Sequence, residues 1–230
     1  MNTLRKSFLA RANFTVWILV VIVLIVLLQN TLSEEIRIGQ FVSLTLRDDL
    51  AMALTNQIWL AIKILVLVPV VIFWLLDRRK PLRYALLVSL GLLTFELLAS
   101  VLFLVVSLRN DTARQAVGLL RDTVTVAAIN ILVFSLWYWI TDAYPLQVPP
   151  PTREPNDFLF PQYATSAPKF ATWQPGYLDY LFLAFTTTTA FGPTDTLPLT
   201  HRAKMLMMLQ ALLSLVIIVV LAGRALSILR

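Results

Sequence analysis

The sequence predicts an all-α integral membrane protein with five transmembrane helices and one re-entrant helix-loop between the fourth and the fifth. The 230 residues are 58% hydrophobic and 14% charged, and a soluble domain of this size does not carry so many apolar residues. The apolar residues form runs of about 20, the length of helix that crosses a bilayer. The third observation is a threonine-rich segment that starts at residue 185 and follows a helix too short to cross.

Composition excludes several kinds of site. The formal net charge is +6, but Lys and Arg stand at the ends of apolar runs, where they anchor helices, so we expect a lipid bilayer as partner and no nucleic acid. The chain has no cysteine, which excludes disulfides and thiolate metal sites, and its one histidine, His201, offers no histidine-rich metal site. The sequence contains no catalytic dyad, metal motif or nucleotide-binding loop, so we expect neither a cofactor nor an enzymatic activity.

The first four transmembrane helices are predicted by apolar runs at Phe14 to Leu28, Ile58 to Leu76, Tyr84 to Leu108 and Val124 to Ile140. The first run follows a basic start, like a signal peptide, but it lacks a small-residue cleavage site, so we expect it to be retained. The aromatic residues 137–139 close the fourth run as an interfacial belt. These helices make up a four-helix region over residues 1–143.

Two connecting segments have no clear helical pattern. Residues 31–57 are of mixed composition, and 41–46 within them fit either a short interfacial helix or a strand. Residues 144–175 form a proline-rich connector, which we expect to be extended because proline removes backbone donors and blocks helix formation. The aromatic residues of this connector predict that it packs on the protein or on lipid headgroups.

The third part of the chain, residues 176–230, holds the most informative segment. A short aromatic helix, Tyr177 to Phe185, leads into a threonine run, a Gly-Pro turn and an aspartate, and the fifth spanning run, Ala203 to Leu226, follows. Irregular backbone at membrane depth is tolerated only where protein buries it or where it lines a water-filled cavity. The segment therefore predicts a re-entrant loop at a pore or a substrate site.

Residues 185–206 read FTTTTAFGPTDTLPLTHRAKML and resemble the pore region of tetrameric potassium channels, roughly FTTxTTVGYGDxxPxTxxARML. An ungapped comparison matches the two at Phe185, Thr186, Thr187, Thr189, Gly192, Asp195, Pro198, Thr200, Ala203, Met205 and Leu206. The resemblance places a pore helix over Tyr177 to Ala184 and the pore-lining inner helix over Ala203 to Leu226. The chain also looks similar to bacterial channel-like membrane proteins with four helices before a degenerate filter.

The resemblance implies conduction of monovalent cations, with K⁺ as the candidate, through a homotetramer in the cytoplasmic membrane of a bacterium. It assigns the filter and pore positions to Thr187, Thr188, Thr189, Ala190, Phe191, Gly192, Pro193, Thr194 and Asp195. Four copies of Asp195 would form a ring of carboxylates that concentrates cations. Gln210 and Ser214, four residues apart on one helix face, are expected to line the cavity.

The family's filter sequence TVGYG reads AFGPT in residues 190–194, and three of the four differences bear on how the filter is built. Ala190 lacks the hydroxyl that the family places next to the ion, and Pro193 has no N–H and a fixed φ. Thr194 replaces a glycine, and a β-branched residue resists a positive φ. We therefore expect a wider or differently built constriction, without strict potassium selectivity.

Each pore residue also has a structural interpretation. The threonine run alone fits a helix end whose hydroxyls bond to carbonyls four residues earlier. Asp195 fits a turn or a helix cap, and Gln210 with Ser214 fits hydrogen bonding between helices. For the whole molecule, the competing classes are a non-conducting membrane protein that kept a channel-like fold and binds a partner or lipid, and a coupled transporter.

Two ionisable residues, Lys63 and Glu96, lie inside apolar runs. An ionisable group within a membrane helix is a functional hypothesis by default. We favour a structural role, in which Lys63 either reaches the interface or pairs with Glu96 on an adjacent antiparallel helix, and Asn130 joins them. A proton-coupled role is the alternative.

The basic residues predict an inverted orientation of the loop. The strongest basic cluster, 78–83, places the link between the second and third helices in the cytoplasm. Two further crossings then make the loop enter from the cytoplasmic side, opposite to potassium channels. Arg202 and Lys204 agree with this orientation, whereas Arg224 and Arg230 disagree.

Overall fold

The computed structural model describes residues 2–32, 49–76, 78–107, 113–142, 157–170, 173–192 and 195–228. These residues are almost entirely helical, which confirms the predicted all-α class. In chain order the elements are α1 (Asn2–Thr31), α2 (Asp49–Leu75), α3 (Arg79–Ser107), α4 (Ala113–Asp142), β1 (Phe158–Leu159), α5 (Pro161–Ala164), a 3-10 turn (Pro168–Phe170), α6 (Tyr177–Ala190), β2 (Leu197–Pro198) and α7 (His201–Ile228).

Four of the described helices are long and apolar enough to cross a membrane, over Gln57–Leu75, Lys80–Ser107, Val117–Asp142 and His201–Leu226. These stretches lie in α2, α3, α4 and α7 and coincide with four of the predicted runs. The apolar stretch of α1, Val16–Thr31, is shorter, about 24 Å at 1.5 Å per residue. The four longer helices are compatible with a membrane location, and the fifth span stays a prediction.

All four of these helices extend beyond the predicted runs at one end or both, and α2 and α4 do so by the most. α2 begins at Asp49, ahead of the predicted Ile58, whereas the undecided segment 41–46 lies outside the described residues. α4 covers Ala113–Asp142, longer at both ends than the predicted 124–140. A helix can continue into polar sequence beyond its apolar run, because water can satisfy the backbone groups that are left unpaired at its ends.

The described part of the connector is not uniformly extended, because it contains β1, the single-turn helix α5 and a 3-10 turn. β1 pairs antiparallel with β2, so that Phe158 lies opposite Pro198 and Leu159 opposite Leu197. Phe158 and Phe160 are buried, which confirms that aromatic residues of this segment pack on the protein. Residues 144–156 lie outside the described part of the chain.

The chain divides into two compact units. We call Met1–Val26 with Ala128–Val216 the loop unit, and Leu27–Ala127 with Ile217–Arg230 the hairpin unit. In the hairpin unit, α2 and α3 are joined by a short link and pack against each other. The ring of Trp59 on α2 lies 6.5 Å from that of Phe95 on α3.

The core of the loop unit is aromatic. The ring of Tyr138 on α4 meets the ring of Phe158 at 5.1 Å, edge to face. The ring of Phe160 meets that of Tyr180 on α6 at 5.3 Å in the same way. Such edge-to-face pairs add about 0.5–1.5 kcal/mol beyond the buried area. The connector thereby packs against both α4 and α6, the helix that leads to the predicted loop.

Candidate functional site

The local sequence sets both ends of α6. Gly176 precedes it, and the Gly176 N–H donates to Asp179 Oδ2 over 2.7 Å. The helix ends at Ala190 because Phe191 adopts the left-handed conformation, with φ 57°, that often follows a helix. Its 14 residues make a rod about 21 Å long, too short to cross about 30 Å of hydrocarbon.

The threonine run belongs to the last turns of α6. The hydroxyls of Thr186, Thr187 and Thr189 each donate to the carbonyl four residues earlier, over 3.0, 2.8 and 3.1 Å. This is the geometry of the helix-end interpretation. The predicted end of the short helix at Phe185 is therefore wrong, because the helix includes the threonine run and non-helical backbone begins at Phe191.

Gln210 holds α6 against α7. Its Nε2 donates to the Ala184 carbonyl over 2.8 Å and to Thr188 Oγ over 2.9 Å. Its Oε1 accepts a hydrogen bond from the Tyr138 hydroxyl on α4. Gln210 is 0% exposed, and these bonds satisfy both ends of its amide within one chain.

A second buried amide extends these contacts. Asn130 Nδ2 on α4 donates to Ser214 Oγ over 3.0 Å and to Thr188 Oγ over 3.4 Å. We call Asn130, Tyr138, Thr188, Gln210 and Ser214 the amide network. The pair predicted to line a cavity, Gln210 and Ser214, thus bonds between helices of its own chain. The prediction that Asn130 joins Lys63 and Glu96 is wrong, because its amide donates into the amide network.

The tip of the loop lies at the surface of the single chain. Thr189, Ala190, Phe191 and Asp195 are exposed, and Gly192 is half-buried. Thr196 donates to Asp195 Oδ1 over 3.5 Å. Pro193 and Thr194 lie outside the described residues. The structure therefore buries Thr187 and Thr188 of the predicted filter, whereas the described residues at its tip are exposed or half-buried.

Asp157 fixes the end of the loop to the start of α7. Its carbonyl accepts the Leu199 N–H over 2.8 Å, and its Oδ1 accepts the Thr200 hydroxyl. The Arg202 guanidinium lies 3.6 Å from the same carboxyl oxygen. Thr200 in turn accepts the Ala203 N–H over 3.2 Å, the bond of an N-cap residue. The loop thus leads into the N-terminus of α7, which these bonds hold in place.

Asp142, the last residue of α4, accepts hydrogen bonds from both sides of the loop. Its Oδ1 accepts the N–H groups of Asp157, over 2.6 Å, and Phe158, over 3.3 Å, and its Oδ2 accepts the Tyr180 hydroxyl over 2.6 Å. One carboxyl group thereby bonds both to α6 and to the start of β1.

Sequence reasoning missed Asp142, Asp157 and Tyr180. Asp142 lies three residues beyond the aromatic belt at 137–139, where an acidic residue at a helix end is unremarkable. The signal that it offered was an aspartate placed between a spanning helix and a connector rich in aromatic residues.

The hairpin unit holds a separate buried charge pair. Lys63 Nζ lies 3.0 Å from Glu96 Oε2, and both residues are buried. Lys63 also donates to Gln29 Oε1 over 3.0 Å, and the Trp59 indole N–H donates to Glu96 Oε1. Of the two structural alternatives, the structure shows pairing rather than extension to the interface. Gln29 takes the place that the sequence suggested for Asn130.

Comparison of the chain with family models, curated proteins and solved structures found no match. Among the described residues, no group of three His, Asp or Glu side chains could hold a metal ion. His201 is exposed in the first turn of α7. The potassium-channel resemblance thus depends on residues 185–206 and remains a basis for proposals.

Proposed function

We propose that the chain is one subunit of a homotetrameric cation channel, with α6, the 191–196 loop and α7 as its pore element. The observation that carries this proposal is the setting of α6. This helix is too short to span, its inner face is hydrogen-bonded to α4 and α7, and it ends in a loop left at the surface.

Uncovered irregular backbone does not occur in the hydrocarbon region of a bilayer. Something must therefore cover the loop if α6 lies at membrane depth. Other copies of the chain around a shared axis would cover it and would enclose a path for ions, which one loop does not do alone. This arrangement has α1 as a fifth span and the loop as a re-entrant segment.

The charge of the loop favours cations. α6 would direct the negative end of its helix dipole towards the axis, and four copies of Asp195 would add a carboxylate ring. The hydroxyl of Thr187 is used inside α6, and Thr188 accepts from the amide network. Ion contacts would therefore come from Thr189, Asp195 and the backbone carbonyls of the tip, a set that selects cations over anions without strict preference for K⁺.

Ion flux from vesicles that contain the purified protein tests this function. We expect K⁺ flux that falls several-fold in Asp195→Asn at low salt and less at high salt, because screening weakens the carboxylate ring. Cryo-electron microscopy of the same preparation should show four chains with residues 189–195 at the axis. Vesicles with verified tetramers and no flux above protein-free vesicles would reject conduction, and a monomer with a self-packed loop would reject the pore.

A second candidate is a non-conducting membrane protein that keeps a channel-like element and binds a partner or lipid. It is favoured by the amide network, because the polar groups that would line a cavity already bond within the chain. This candidate predicts an intact oligomer without flux in the same vesicles, so one experiment separates the two functions.

A further inference from the structure

We infer that Asp142 ties the two ends of the loop to each other and thereby sets the geometry of its tip. One carboxyl group bonds both the helix that leads into the loop and the strand that holds its far end. The inference rests on the proposed function only where it says that the loop shapes a pore. The tie itself is a property of this fold.

The first side of the tie is Tyr180. It lies in the first turn of α6, is 0% exposed, and donates to Asp142 Oδ2 over 2.6 Å. Its ring also packs edge to face against Phe160. Because α6 is continuous to Ala190, a fixed Tyr180 fixes the position from which the loop starts.

The second side of the tie is β1. The N–H groups of Asp157 and Phe158 donate to Asp142 Oδ1, and β1 pairs with β2 directly after the loop. The Leu199 N–H then bonds to the Asp157 carbonyl. A fixed β1 therefore fixes the position at which the loop ends and α7 begins.

An aspartate suits this position better than an asparagine. All three groups that Asp142 meets here are donors, and a carboxylate offers two accepting oxygens. An asparagine offers one oxygen and turns its NH₂ towards a donor. Asp142 is 6% exposed, so water does not readily replace a lost bond.

Hydrogen exchange of the full-length protein in lipid nanodiscs tests the tie. Asp142→Asn weakens both sides of the tie. Tyr180→Phe removes only the hydroxyl that donates to Asp142 Oδ2, so its effect on the Asp157 and Phe158 amides reports coupling through Asp142. The matched control is Tyr177→Phe, because the Tyr177 phenol also joins α6 to α4 but bonds with Ser135, at 3.0 Å, and not with Asp142.

We expect Asp142→Asn to raise the exchange rates of the Asp157 and Phe158 amides about tenfold or more. Tyr180→Phe should raise the rates of these amides and of Leu199 by about threefold, whereas Tyr177→Phe should change them by less than about twofold. Equal rates in Tyr180→Phe and Tyr177→Phe would overturn the inference. This comparison also decides the matter if Asp142→Asn does not fold.

Flux measurements on the same variants separate this inference from the proposed function. If the loop shapes a pore, Tyr180→Phe should change the ratio of K⁺ to Na⁺ permeability and Tyr177→Phe should not. Coupled exchange with no flux in any variant would keep the tie and reject the channel. Flux with an unchanged exchange pattern in Tyr180→Phe would keep the channel and reject the tie.

Discussion

Neighbouring threonines in α6 have different tasks, which shows how little residue type alone decides. Thr186 bonds to carbonyls of its own helix and is half-buried. Thr188 is buried, and its oxygen accepts from amides on α4 and α7. The first hydroxyl satisfies a local helix end, whereas the second joins three helices.

Valine substitutions should separate these two tasks, since valine keeps the shape of threonine and removes the hydroxyl. Thr188→Val removes one of the two acceptors that the amides of Asn130 and Gln210 each have, so we expect a loss of about 1–3 kcal/mol in the free energy of unfolding. Thr186→Val should stay within about 0.5 kcal/mol. Thermal unfolding midpoints in detergent measure both, and equal midpoints would contradict the role given to Thr188.

At the scale of elements, apolar runs predicted the four helices that are long enough to span, because lipid leaves a backbone no hydrogen-bond partner except itself. The ends of helices were harder to predict. α6 continues past Phe185 to Ala190, with threonine hydroxyls bonded back to carbonyls of its last turns. The partners of Asp142 lie 15, 16 and 38 residues away along the chain, so no local pattern revealed its position between α4, β1 and α6.

The ion pair between α2 and α3 was predicted from the sequence, but the residues that surround it were not. Lys63 and Glu96 each lay within an apolar run, and a charge there needs a partner. The ion pair follows from that requirement. The contributions of Gln29 and Trp59 do not, because an amide at a helix end and an indole have many other uses.

Breaking this pair should cost more than removing it. Glu96→Leu leaves the buried Lys63 without its carboxylate, and we expect a loss of about 3–5 kcal/mol. The double variant Lys63→Met, Glu96→Leu should recover most of that loss, because two apolar side chains leave no charge in the membrane. Thermal midpoints check the order, with the exposed Lys80→Gln as a control that should change little.

The same double variant separates a structural from a proton-coupled role. If the protein conducts ions as proposed, a structural pair predicts that the folded double variant keeps the flux of the native protein. Loss of transport from a folded double variant, with the thermal midpoint restored, would instead favour proton coupling through Glu96.

For the whole molecule, the number of crossings and the positive charges together decide from which side the loop of the proposed pore would enter. Four of the described helices are long enough to span, and α1 carries the shorter apolar stretch. If α1 and α2 both cross, residue 2 and the basic cluster 78–83 share one side. If α3 and α4 both cross, that cluster and Asp195 share one side as well.

Single cysteines test this topology cleanly, because the native chain has none. We expect Asn2→Cys, Lys80→Cys and Asp195→Cys to react with an impermeant thiol reagent from the cytoplasmic side, and Asn110→Cys from the opposite side. A different side for Asn2→Cys than for Lys80→Cys would remove one of the first two crossings, or add one within 31–57. If Lys80→Cys and Asp195→Cys both react from the outside, the protein has the usual orientation of a potassium channel. The positions of Lys and Arg would then have predicted the wrong side for the basic cluster.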